Sequence, residues 1–115
     1  YTPTVLGNIN EDMIIMKEET FGPVVPVSIF ETEEEGIKLA NNSPYGLSAY
    51  VFTENINQGI RVCEALEYGM VGLNTGRISS AQAPFGGIKM SGFGREGGYY
   101  GIEEYLVTKY IGIGI

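Results

Sequence analysis

Two segments able to form helices lie between three short apolar segments, and each helical segment opens on a side chain that can cap it. Thr32 precedes Glu33-Glu34-Glu35, which predicts a capping box: the threonine oxygen accepts from a first-turn amide and Glu35 reaches back. Three carboxylates there suit the positive end of the helix dipole and read as a solvated helix start, not as metal ligands. Ile37, Leu39 and Ala40 face inward, and Asn41-Asn42-Ser43-Pro44 ends the helix. Asn55 caps the second helix, where Ile56, Ile60, Cys63 and Leu66 recur at three- and four-residue spacing as one apolar stripe. Gly69 is expected as its C-terminal cap. The apolar segments are Val24 to Phe30, Leu47 to Phe52 and Met70 to Leu73. The first suits a strand covered on both faces, with Pro26 implying an edge or a bulge. Strand, helix, strand, helix, strand predicts an α/β chain with a mostly parallel sheet and crossover helices.

The flanks are less regular. Pro3 to Leu6 fits a short strand and Gly7-Asn8 a turn. Met13-Ile14-Ile15-Met16 fits either a helical turn capped by Asp12 or a buried strand. Near the end, Gly97 to Tyr105 can form a short helix weakened by its glycines. From Tyr105 to Ile115 apolar residues alternate, which predicts a terminal strand with no following partner. Such an edge invites a second chain, so the tail is expected to dock on a neighbouring subunit rather than complete its own sheet.

Between the third strand and that ending, Asn74 to Glu96 shows neither helical nor strand periodicity. Glycines stand at 76, 86, 87, 92 and 94, with Pro84 among them. Ile78, Phe85, Ile88, Met90 and Phe93 are too apolar for a solvated tract. The stretch reads as a shaped loop rather than a disordered one, and long shaped loops usually carry function. It begins where a parallel strand ends at its carboxyl side, where ligands bind in such sheets.

Composition narrows the chemistry. The 115 residues are enough for one domain and one core. A net charge of −7 argues against nucleic acid or an anionic membrane as partner. No apolar run reaches the length of a membrane span. Histidine is absent, which removes histidine bases and ligands, and the one cysteine, Cys63, fits a reducing compartment and a cytoplasmic location. Cys63 lies on the apolar stripe beside Glu64 and Glu67, so it reads as a core residue rather than a nucleophile. Ser79 and Ser80 lack a histidine base, and Lys89 and Arg95 flank a glycine-rich turn that has no Walker pattern. No catalytic apparatus is complete. Binding elements remain: an acid beside an aromatic, Glu19 and Phe21, and a loop with hydroxyls beside another, Phe85. The opening Tyr1-Thr2-Pro3 leads straight into Val5-Leu6 without an initiator methionine, so the chain is expected to be cut from something longer.

Three segments resemble motifs of the aldehyde dehydrogenase superfamily, in that family's order and spacing: Glu18-Glu19-Thr20-Phe21-Gly22-Pro23-Val24, then Asn41-Asn42-Ser43-Pro44-Tyr45-Gly46-Leu47, then Pro84 to Glu96. Asn74-Thr75-Gly76, Ile78-Ser79-Ser80, Gly101 to Tyr105 and Lys109-Tyr110 are similar to the succinate-semialdehyde dehydrogenase branch. The resemblance covers essentially the whole chain. It implies the C-terminal part of the catalytic domain over residues 1–105, followed by a terminal oligomerisation strand over 106–115.

The family forms a thiohemiacetal on a cysteine, passes hydride to NAD or NADP, and hydrolyses the thioester with a glutamate-activated water. The resemblance implies that Glu19 binds the nicotinamide ribose hydroxyls, since a carboxylate accepts from both. It implies that Phe21 packs near the nicotinamide, that Ser79 hydrogen-bonds a remote substrate carboxylate, and that Phe85 lines the aldehyde tunnel. The family's catalytic cysteine, general-base glutamate and glycine-rich cofactor fold lie upstream of the first motif and have no counterpart here. The segment is therefore expected to add cofactor and substrate contacts to a small-aldehyde site completed by the rest of the chain. The other reading is a truncated, non-catalytic assembly module of the same fold.

Overall fold

The computed structural model describes residues 1–115, which divide into two compact units, 1–43 and 44–115. In the first unit, β1 (Thr4–Leu6) pairs in parallel with β2 (Val24–Pro26), Leu6 opposite Pro26. Pro26 ends β2, where its missing N–H interrupts no ladder. The segment expected to continue as a strand to Phe30 makes one more bond, Val27 N–H to the Leu6 carbonyl, and then leaves, with Ile29 and Phe30 exposed. Residues Ile14–Met16 form one 3-10 turn, so the helical alternative holds there, but Asp12 does not cap it: no side chain bonds the Met13 cap position. Asn8 takes a positive φ of 54° in the expected turn.

Helix α1 (Glu33–Asn41) begins as expected: Thr32 Oγ1 accepts from Glu35 N–H at 3.1 Å. The returning carboxylate differs. Glu35 Oε2 accepts from Glu31 N–H at 2.8 Å, one residue before the cap. Gly36 lies against the Phe30 ring, where a Cβ would stand 2.9 Å from it.

The second unit holds the crossover. β4 (Ser48–Val51) pairs in parallel with β5 (Met70–Leu73), Ser48 opposite Met70, and α2 (Ile56–Ala65) connects them. Asn55 caps α2, its Oδ1 accepting from Gln58 N–H at 3.2 Å. The face of α2 turned to the strands centres on buried Gly59, where the Leu73 side chain fills the space a Cβ would take. The expected stripe is only half inward. Cys63 and Leu66 are half-buried, but Ile56 and Ile60 are exposed. Gly69 is not the C-cap either. Leu66 ends the helix in an extended conformation, and Gly69 instead abuts the Gly86 carbonyl, which a Cβ would overlap.

Two further strands were not foreseen. β3 (Tyr45–Gly46) pairs antiparallel with β6 (Ile88–Lys89). The strands thus make three two-stranded sheets, two parallel and one antiparallel, and not one continuous sheet. Met70 is the buried hydrophobic side chain. The single core expected from the chain's length is not formed.

The expected helix over 97–105 shortens to a 3-10 segment, Tyr100–Tyr105. Gly97 and Gly98 are excluded by positive φ values of 67° and 58°, packed against the carbonyls of Ala83 and Gln82. Residues 106–115 are exposed and form no strand, because nothing in the chain pairs with them. No helix is long and apolar enough to cross a membrane.

Candidate functional site

The glycine-rich stretch is anchored where β5 ends. Asn74 adopts a φ of 53°, a region that asparagine tolerates better than most residues. Its side chain grips Thr53 in both directions: Oδ1 accepts from Thr53 N–H at 2.9 Å and Nδ2 donates to Thr53 O at 2.8 Å. The amide thereby extends the β4–β5 ladder by one rung made from a side chain. Beyond it, Thr75 Oγ1 accepts from Arg77 N–H. Ser79 and Ser80 follow, both exposed. The Ser80 carbonyl accepts from Ala83 N–H and that of Ala81 from Gly98 N–H, tying this limb to the glycine pair.

The next part is closed more tightly. Phe85 and Glu96 exchange two backbone hydrogen bonds, at 2.7 and 2.8 Å. Inside that closure β6 reaches β3, Met90 N–H donates to Pro44 O, and Ser91 Oγ accepts from Gly46 N–H at 3.0 Å. Lys89, at φ 55°, places its ammonium 2.7 Å from Glu67. A groove of about 630 Å³ opens along this turn, lined among others by Leu47, Phe85, Ser91, Phe93, Glu104 and Tyr105. Its lining mixes aromatic rings with carboxylates.

Phe85 lines the groove, whereas Ser79 is not among the residues lining it. Glu19 and Phe21 belong to the first unit. Glu19 is exposed, and the Phe21 ring is 97% exposed. A carboxylate open to solvent can accept from vicinal hydroxyls, and an uncovered ring can pack against a flat heterocycle. Cys63 is half-buried on α2. Sequence reasoning missed the Asn74 grip and the bonds that Arg95 Nη1 donates to the Gly87 and Gly94 carbonyls. An asparagine between a β strand and Thr-Gly was a usable signal for the first; nothing in the spacing pointed to the second.

The fold is that of an α/β segment, a strand–helix–strand crossover followed by a closed glycine-rich turn. The model of the aldehyde dehydrogenase family matches residues 1–111, and the chain belongs to that family. It is 56% identical over 114 residues to the mitochondrial succinate-semialdehyde dehydrogenase of Oryza sativa subsp. japonica, covering 99% of this chain and 22% of that protein. The crystal structure of an aldehyde dehydrogenase from Brucella melitensis biovar abortus 2308 superimposes with a TM-score of 0.88 at 62% identity, over 93% of this chain and 22% of that one. A betaine aldehyde dehydrogenase from Staphylococcus aureus, in complex with NAD+, gives a TM-score of 0.90 at 52% identity, over 95% and 22%. The chain therefore spans about a fifth of the length of these relatives.

Proposed function

We propose that this chain is part of an NAD- or NADP-dependent aldehyde dehydrogenase that oxidises succinate semialdehyde, or a similar small aldehyde, to the acid. The observation that carries the reading is the pair Glu19 and Phe21, two residues apart in a family motif and both left uncovered by their own unit. When bound, the nicotinamide supplies the hydride acceptor. Glu19 holds its ribose by accepting from the hydroxyls, and Phe21 limits how far the ring can turn, so that one face meets the aldehyde. Phe85 walls the aldehyde's path. Ser79 donates its hydroxyl hydrogen to the remote carboxylate of the substrate. The nucleophilic cysteine and the base that activates water come from polypeptide outside these 115 residues, and the isolated chain turns over no aldehyde.

The S. aureus structure contains NAD+, which makes NAD the first cofactor to assay and NADP the second. The single cysteine keeps a reducing compartment such as the cytoplasm as the expected location, although the rice relative is named as mitochondrial. The exposed, unpaired tail favours self-association through residues 106–115, and the same feature supports the second reading, an assembly module without catalysis.

The test is aldehyde-dependent NADH or NADPH formation by the intact protein from which this segment comes. Turnover of succinate semialdehyde ahead of aldehydes lacking a carboxylate is the expected result. An intact protein that assembles normally but oxidises no aldehyde would leave the assembly reading standing.

A further inference from the structure

Arg95 is half-buried beside the groove, and its use there differs from that of an exposed cation. One guanidinium nitrogen, Nη1, donates to two backbone carbonyls, Gly87 O and Gly94 O, each at 2.7 Å. Gly87 lies on the outgoing limb of the turn, two residues beyond Phe85, and Gly94 on the returning limb, two residues before Glu96. The guanidinium therefore bridges the limbs just inside the Phe85–Glu96 closure. Gly86 makes room for it: a Cβ there would stand 2.6 Å from the Gly94 carbonyl oxygen and 2.9 Å from Arg95 Cδ. Charge-assisted bonds to carbonyls are stronger than neutral ones, and a planar guanidinium holds two acceptors in fixed directions where an ammonium does not.

We propose that Arg95 is a positioning residue that locks the two limbs of the 85–96 turn together and so sets where the Phe85 ring stands in the aldehyde's path. The assignment of Phe85 to that path rests on the dehydrogenase reading; the lock itself does not. Loosening the lock lets the ring wander, which weakens aldehyde binding while the cofactor contacts of Glu19 and Phe21 are untouched.

The test uses the intact protein with Arg95→Lys, Arg95→Ala and Gly86→Ala, read by hydrogen exchange and by kinetics. Amide exchange at Phe85 and Glu96 should accelerate by about tenfold or more in Arg95→Ala and in Gly86→Ala, and by less in Arg95→Lys, with peptides over 48–51 and 70–73 unchanged. The aldehyde KM should rise by about tenfold, with the cofactor KM within about twofold of the parent. In a Phe85→Ala background, Arg95→Lys should add nothing to the aldehyde KM. Unchanged exchange at 85 and 96, or a uniform rise that includes the β4 and β5 peptides, would overturn the lock. An equal rise in cofactor and aldehyde KM would overturn its link to Phe85. If the parent protein oxidises no aldehyde, the dehydrogenase reading falls, and the exchange data still decide the lock.

Discussion

The 85–96 turn and the 106–115 tail are both short, irregular and rich in apolar side chains, yet they end in opposite states. The turn bonds within itself through the Phe85–Glu96 pair and Arg95, and to residues 44–46 through the β3–β6 bridge and Ser91. The tail satisfies almost none of it, and Val107, Tyr110 and Ile113 stand open, Val107 at 93%. The difference lies in where the partner is. The turn finds partners at its own two ends and on residues 44–46. The tail leaves the 3-10 segment in an extended conformation and meets no edge. One region is held by hydrogen bonds within this chain; the other has an alternating pattern and no paired strand.

The comparison can be broken from either side. The largest expected effect is on assembly. Deleting residues 106–115 from the intact protein should abolish its self-association in analytical ultracentrifugation while leaving hydrogen exchange across 85–96 as it was. Retained oligomers would show that the tail is dispensable. Next is Gly69→Ala. Its Cβ would overlap the Gly86 carbonyl, backbone against backbone, so about 3 kcal/mol of stability should be lost in denaturant unfolding. A neutral result would mean that the turn is not seated where it is described. Ser79→Ala comes third. KM for succinate semialdehyde should rise by about fivefold to tenfold, with little change for aldehydes that lack a carboxylate. Equal effects on both would remove Ser79 from the substrate. The smallest is Asn74→Ala, which removes two exposed hydrogen bonds and should cost about 1 kcal/mol, seen as faster exchange at Thr53.

The same contrast explains what could be read from the residues alone. Both helices were legible, because Thr32 and Asn55 are local caps and accept from amides three residues on, as their positions require. The β4–α2–β5 unit was legible from the spacing of its apolar segments. β3 and β6 were not, since two-residue strands have no periodicity to detect. Gly69 was misread as a cap because a glycine after a helix carries the same letter whether it needs a left-handed turn or a close approach. The single sheet was overdrawn because an apolar segment does not say which edge it will pair with. Of the site, the residue identities came from motifs, whereas the groove beside Phe85 and the two carbonyls held by Arg95 exist only once the limbs of the turn are folded together.

The proposed dehydrogenase site depends most on Glu19 as a ligand of the nicotinamide ribose. In the intact protein, rapid-mixing measurement of Glu19→Gln should show hydride transfer slowed by about tenfold or more and the cofactor KM raised, because an amide offers one neutral acceptor oxygen where a carboxylate offers two charged ones. Parent-like hydride transfer and cofactor affinity with both NAD and NADP would contradict it.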